Sequence, residues 1–115
     1  MREDLVWLGD ILESLTKLQK WSESPSSAAE FAARDVLYSA VLREFTVIGE
    51  AVKRLSSGLT SQESHVNWRE LAGFRDILVH NYFGVRDTVV WDAVVNVAPV
   101  LREDVTEIIE RLSRL

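Results

Sequence analysis

An arginine, a carboxylate, a histidine and a tyrosine stand within eight residues of one another towards the middle of the chain. They are Arg75, Asp76, His80 and Tyr82, in a protein that has two histidines and no cysteine. Histidine exchanges protons near neutral pH and arginine carries a fixed positive charge, so any chemistry is expected in this segment. On spacing alone, the same residues are also compatible with an ordinary surface salt-bridge cluster.

A short helix is predicted to carry these residues. Asn67 can cap the amide of Glu70, and Glu70 can reach back to Asn67, as in a capping box. Gly84 is expected to end the helix. Four apolar side chains at helical spacing predict its buried stripe: Leu71, Phe74, Ile77 and Leu78.

The polar residues of this helix fall on two neighbouring faces. Asp76 and His80 lie one turn apart on one face, whereas Arg75 and Tyr82 lie two turns apart on the next. Unpaired carbonyls at the helix C-terminus favour the protonated form of His80, and Asp76 would act in the same direction. The long arginine side chain can bridge the two faces.

Three further amphipathic segments must position the motif helix. The first runs from about Glu3 to Trp21, the second from Ala28 to about Ser57, and the third from Thr88 to about Leu112. Pro99 is expected to kink or divide the third segment. Because the connectors are short, the sequence predicts an all-α, up-down bundle of four to five helices, in one domain over residues 1–115.

Apolar residues spaced by three and four predict the core face of each segment. Gly58 is expected to close the second helix, and Leu59–Val66 is predicted to be a polar connector. The three predicted stripes are Leu5, Leu8, Ile11, Leu12, Leu15 and Leu18; Tyr38, Val41, Phe45, Ile48, Val52 and Leu55; and Val90, Val94, Val97, Leu101, Val105, Ile108 and Leu112.

Composition narrows the classes of function. The chain has 115 residues, a formal net charge of −5 and no cysteine. It therefore lacks a disulfide framework and a thiolate site, and general charge-driven binding of nucleic acid is disfavoured. No metal site or cofactor is predicted, and neither a signal peptide nor a membrane span is indicated. A cytoplasmic location is expected.

The pattern Arg75-x4-His80-x-Tyr82 resembles the signature of the HEPN superfamily, and the amino-acid sequence around it resembles the HepT-like branch. Three stretches carry the resemblance, Ile48–Leu55 (IGEAVKRL), Asn67–Gly73 (NWRELAG) and His80–Val85 (HNYFGV). It extends from about Arg34 to Trp91. One departure is that Arg86 stands where that branch commonly has an acidic residue.

The resemblance implies a metal-independent endoribonuclease toxin that works as a homodimer. By that likeness Arg75 would hold the scissile phosphate of the RNA, His80 would be the general acid and base, and Asp76 would orient one of them. A partner nucleotidyltransferase antitoxin would adenylylate Tyr82 and so block the site. Cleavage needs one group to accept a proton and another to donate one, and each chain offers a single His80 for both roles. A dimer with its axis near the motif helix would bring in a second His80.

A second interpretation stays open. The chain could be a catalytically inactive HEPN module that binds a nucleotidyltransferase partner or a nucleotide, which the acidic net charge and the departure at Arg86 would suit. Glu50 lies within the resembling text and is expected to have a buried, structural role near the site. It could also form an ordinary i,i+4 pair with Arg54.

Overall fold

The structure, a computed structural model, describes residues 2–115 and is built from helices. Within that range there is no β-strand, which confirms the predicted all-α bundle. The elements are α1 (Arg2–Trp21), α2 (Ala28–Ala32), α3 (Asp35–Arg54), α4 (Ser57–Gln62), α5 (Trp68–His80), a 3-10 turn (Tyr82–Gly84), α6 (Asp87–Asp92), a π turn (Ala93–Val97) and α7 (Ala98–Ser113).

The core lies where α3 packs against α1 and α5, and where α1 packs against α7. Most of the predicted apolar stripes supply it, because residues three and four apart share a helix face. No helix in residues 2–115 combines the length and the apolar character needed to cross a membrane. The side chains buried almost completely are Leu8, Ile11, Leu15, Leu18, Phe31, Val41, Ile48, Val90, Val105 and Ile108.

The predicted long helix from Ala28 is wrong in one respect, because it divides into α2 and α3 at Arg34. The backbone of Arg34 leaves the helical region, with φ −96° and ψ 86°. The division lets Phe31 of α2 bury its ring between Tyr38 and Trp91, with both ring centroids 5.1 Å away. These contacts, one of them with distant α6, outweigh the local preference for a continuous helix.

Helix α4 (Ser57–Gln62) extends into the segment that was predicted to be a polar connector, Leu59–Val66. Ser56 caps this helix, since its hydroxyl accepts a hydrogen bond from the amide of Leu59 at 3.2 Å. Asp4 of α1 in turn accepts from the amide and the hydroxyl of Ser56, at 2.8 and 2.7 Å. Helix α3 therefore ends before Leu55, and the predicted closure at Gly58 is wrong.

The predicted disruption near Pro99 takes the form of the π turn that immediately precedes it. Proline has no amide hydrogen to donate to a carbonyl one turn back, and π turns often accommodate such defects. A π turn takes more residues to complete than an α turn, so Ala98 reaches the core face that Val97 was predicted to occupy. Ala98 is buried and Val97 is exposed.

Candidate functional site

The N-terminus of α5 is fixed by its cap and by a buried tryptophan. Asn67 accepts a hydrogen bond from the amide of Glu70 at 3.1 Å, and its side-chain amide donates to the Glu70 carboxylate at 2.7 Å. The predicted capping residues are thus correct, although Glu70 binds the side chain of Asn67 rather than its backbone. Trp68 is buried and donates to the carbonyl of Glu63 at 3.0 Å.

Helix α5 buries a narrower stripe than predicted and ends earlier. Leu78 is buried, and Phe74 packs edge-on against Phe45 with ring centroids 5.3 Å apart. Ile77 is 51% exposed instead of buried, because it lines an open groove between α5 and the π turn and start of α7. The helix stops at His80, one turn before the predicted stop at Gly84.

Arg75 lies at the closest approach between α3 and α5. A Cβ atom added to Gly49 of α3 would stand 2.1 Å from the Cβ of Arg75, so only glycine lets the arginine side chain cross here. The Arg75 side chain is 19% exposed. Its Nε is buried and has no hydrogen-bond partner among the described residues.

Two carboxylates hold the guanidinium group of Arg75. Nη2 donates to Oε1 of Glu50 at 2.7 Å, and Nη1 donates to Oδ1 of Asp76 at 3.1 Å. Lys53 of α3 donates to the same oxygen of Asp76. These hydrogen bonds, the one from Lys53 first and then the one from Arg75, hold the pKa of the Asp76 carboxyl below its usual value. The four side chains together carry two positive and two negative charges.

The structure brings Asp76 to Arg75 but does not join it to His80 by an ion pair or hydrogen bond within residues 2–115. Glu50 is near the site as predicted, but it is half-exposed rather than buried. It pairs with Arg75 and not with Arg54, whose guanidinium stacks over the ring of Trp7 at 5.5 Å.

His80 and Tyr82 are exposed at the end of α5. The ring of Tyr82 meets the ring of Phe83 nearly at right angles, with centroids 5.3 Å apart. Burial raises the pKa of Tyr38 on α3, and the charges of Asp87 and Tyr82 raise it further. Asp87 and Tyr82 therefore both lie near Tyr38 at this end of the bundle.

Sequence reasoning missed Lys53 and Tyr38 as members of this region. A signal for Lys53 exists, because Gly49 and Lys53 are four residues apart and share a face of α3. Tyr38 was assigned only to the core stripe. Among residues 2–115, no group of three or more His, Cys, Asp or Glu side chains is arranged to hold a metal ion.

Comparison with known proteins identifies the family. The model of the family described as "Ribonuclease HepT-like" matches residues 11–108. The chain belongs to the HepT-like ribonuclease family. This agrees with the HEPN resemblance carried by the segment from Arg75 to Tyr82, and with the helical bundle that holds it.

Several curated proteins are similar to this HepT-like chain. "Putative RNase TTE0752" of Caldanaerobacter subterraneus is 39% identical over 85 residues, 74% of this chain and 76% of that protein. "Probable ribonuclease HepT" of Thermococcus cleftensis is 31% identical over 96 residues, 84% of this chain and 86% of that protein.

The name of a longer relative includes a second activity. "Gamma-glutamylcyclotransferase and putative RNase MJ0434" of Methanocaldococcus jannaschii is 34% identical over 115 residues. The match spans 99% of this chain but 51% of that protein, so this chain spans about half the length of that relative. No solved structure matches the chain.

Proposed function

We propose that this HepT-like chain is an endoribonuclease toxin that cleaves RNA without a metal, through Arg75 and His80 of a homodimer. A nucleotidyltransferase antitoxin neutralises it by adenylylating Tyr82. The observation that carries the proposal is the placement of the motif on α5. Arg75 is anchored against α3, while His80, the last residue of the same helix, and Tyr82, in the 3-10 turn that follows, are both exposed.

Cleavage by this site requires proton transfer and stabilisation of negative charge. One His80 takes the proton of the ribose 2′-hydroxyl, whose oxygen attacks the neighbouring phosphorus. A second His80, from the partner copy, gives a proton to the departing 5′-oxygen, which leaves a 2′,3′-cyclic phosphate. The Arg75 guanidinium stabilises the charge that develops on the phosphorane oxygens.

The ion pairs of Arg75 set a condition on this chemistry. Glu50 and Asp76 each accept one hydrogen bond from a terminal nitrogen of Arg75, so an RNA phosphate must share the remaining N–H groups or displace one of the carboxylates. Both carboxylates are half-exposed, but Glu50 is the more easily displaced, because within residues 2–115 it pairs with Arg75 alone, whereas Asp76 is also held by Lys53. Water can solvate Glu50 when phosphate replaces it.

Exposed apolar side chains beside α5 support the homodimer. Three exposed apolar residues line the same groove: Ile77 of α5, Val97 of the π turn and Val100 of α7. Contiguous exposed apolar surface commonly marks a protein contact. A second copy seated there would bring its own α5, with Arg75 and His80, close to the first.

The exposure of Tyr82 supports its assignment as the adenylylation acceptor. Its side chain is half-exposed and stands two residues after His80, so a partner enzyme can reach the phenol oxygen. Transfer of an adenylyl group forms a bond between that oxygen and the α-phosphorus of ATP and releases pyrophosphate. The added phosphodiester is anionic and bulky, and it would compete with RNA for Arg75.

The proposal is tested by expressing the chain alone in growing cells and examining RNA for new ends that carry a cyclic phosphate. We expect growth inhibition and such ends for the wild type, and neither for Arg75→Ala or His80→Ala at matched soluble expression. His65→Ala is the control, since it removes the other histidine, which is exposed and lies near Asp104. Equal tolerance of all four proteins, without new ends, would refute the nuclease.

One observation favours a second candidate, an inactive module that binds the nucleotidyltransferase. The guanidinium of Arg75 is already neutralised by two carboxylates. Under this alternative, Arg75→Ala and His80→Ala change no RNA assay. Tyr82→Phe would then still bind the partner in co-purification, since docking needs no acceptor hydroxyl, and the RNA assays separate the two candidates.

A further inference from the structure

The turn that follows α5 presents an almost completely exposed aromatic ring. Phe83 is 98% exposed, the highest value among the large apolar side chains of residues 3–115. It lies three residues after His80 in the 3-10 turn Tyr82–Gly84. A phenyl ring in water is unfavourable by its full apolar area, so a ligand that covers it beside the proposed site would gain that free energy.

The turn holds this ring in a defined place. The amide of Gly84 donates to the carbonyl of Asn81 at 3.0 Å, and that of Val85 donates to Tyr82 at 3.4 Å. A Cβ atom on Gly84 would lie 2.4–2.7 Å from the side-chain amide of Asn81. Asn81 therefore packs directly on the glycine. The ring of Tyr82 lies edge-on beside Phe83, and the phenyl ring stays almost completely open to solvent.

A cation follows the ring. Arg86 is exposed, and the ion pairs that Arg75 forms in the middle of α5 do not include it. The neighbouring carboxylate of Asp87 acts on Tyr38, whose pKa it helps to raise. Only Gly84 and Val85 lie between Phe83 and Arg86, so their Cα atoms are at most about 11 Å apart.

We propose that Phe83 and Arg86 form a subsite for one unpaired nucleotide of the RNA. The base stacks on Phe83, and Arg86 contacts the adjoining phosphate. Aromatic side chains bind unpaired bases in this way without reading their sequence, whereas bases in a duplex are already stacked and are inaccessible. This inference rests on the proposed function, because it assigns the substrate of that site as single-stranded RNA.

A second copy of the chain is a less suitable occupant for Phe83. The groove of exposed apolar residues lies along α5 and α7, and Phe83 does not line it. The residues flanking Phe83 in the turn include exposed Asn81, Gly84 and Arg86. A base needs one ring face and a nearby cation, whereas a protein contact needs a contiguous apolar patch.

The test measures binding of a labelled ten-nucleotide single strand and of the same sequence in a duplex. All proteins carry His80→Ala so that RNA stays intact. We expect Phe83→Ala to weaken single-strand binding about tenfold or more and Phe83→Trp to restore it. Arg86→Ala should weaken binding and lower the salt dependence by about one phosphate contact. Val36→Ala, which truncates another highly exposed apolar residue on α3, should change nothing.

Unchanged single-strand binding in Phe83→Ala would overturn the inference, as would an equal loss for the duplex or no binding of either RNA. Sedimentation of Phe83→Ala provides a further criterion, because dissociation of a dimer would assign Phe83 to a protein contact. If the chain cleaves RNA but Phe83→Ala binds the single strand as tightly as the parent protein does, the subsite is refuted and the nuclease is not. Binding that depends on Phe83 without any cleavage would refute the nuclease and support the subsite.

Discussion

At the scale of single residues, Arg75 is the proposed phosphate-binding residue and is already engaged by two carboxylates. Glu50 and Asp76 each accept a hydrogen bond from it, and Lys53 shares Asp76. Carboxylates hold a guanidinium in a fixed orientation, but they also compete with any incoming phosphate. The balance between these two effects decides how Arg75 works.

Glu50→Gln is expected to strengthen RNA binding a few-fold, because the neutral amide competes less well for the guanidinium than the carboxylate does. Binding is measured in the His80→Ala protein. Glu103→Gln is the matched control, since it removes the same charge from an exposed position on α7. Weaker binding in Glu50→Gln would mean that Glu50 chiefly orients Arg75.

The lowered pKa of the Asp76 carboxyl predicts that the free energy of unfolding depends on pH. Its pKa is lowered in the folded chain from the usual 3.8 by Lys53 and Arg75, so the unfolded chain binds more protons between the two pKa values. The free energy of unfolding therefore rises with pH through that interval. The stabilisation is complete above the unfolded pKa and is lost as the pH falls through the folded one.

Urea denaturation between about pH 2 and 6 checks this prediction. Asp76→Asn should be less stable than the wild type at the upper end of the range, and the difference should shrink on acidification. Asp10→Asn, at an exposed position on α1, should show no such trend. A constant difference across the range would show that Asp76 contributes through something other than its charge.

At the scale of helices, the crossing of α3 and α5 depends on one missing side chain. Gly49 leaves room for Arg75 where a methyl group would overlap its Cβ atom. The Cβ atom is fixed to the backbone, so the two helices must move apart to relieve the overlap. The same shift would disturb the ion pairs between Glu50, Lys53, Arg75 and Asp76.

Gly49→Ala should therefore destabilise the chain by about 1–3 kcal/mol, the usual cost of overpacking, and lower RNA cleavage. Gly73→Ala is the control within α5, because an added Cβ there meets nothing within 4 Å. Alanine favours helix, so this change should stabilise by about 0.5–1 kcal/mol. Thermal unfolding of both variants tests this prediction. Equal stability of Gly49→Ala and Gly73→Ala would contradict the close approach of α3 and α5 at Gly49.

At the scale of the whole molecule, the site is proposed to be complete only in a dimer. One copy offers one His80, whereas cleavage uses a base and an acid. The apolar groove between α5 and α7, with Ile77 in its wall, is the surface proposed for a second copy. Substrate and antitoxin then approach the same end of the bundle, where His80 and Tyr82 are exposed.

Ile77→Glu places like charges on both sides of that interface and should convert the dimer to a monomer that no longer cleaves RNA. Sedimentation equilibrium and the cyclic-phosphate assay measure the two effects. Val36→Glu makes the same change at a position that is 87% exposed on α3, and it should alter neither. A monomeric wild type that cleaves RNA, or a dimeric and active Ile77→Glu, would refute the shared site.

The sequence by itself determined the helical class, most of the core and the cap of the motif helix. These features depend on periodicity and on contacts within a few residues, as with Asn67 and Glu70 or the stripe from Val41 to Val52. Such local contacts can be inferred from spacing alone. The motif from Arg75 to Tyr82 was visible for the same reason.

Only the tertiary structure decided which partners these residues have. Arg75 meets Glu50 across 25 residues of chain, and Asp76 meets Lys53 across 23, distances over which spacing carries no information. The division of the long helix at Arg34 and the exposure of Ile77 likewise depend on how distant helices pack. The local sequence leaves several buried helix faces and several helix end points nearly equal in energy. Packing between distant helices selects one of them.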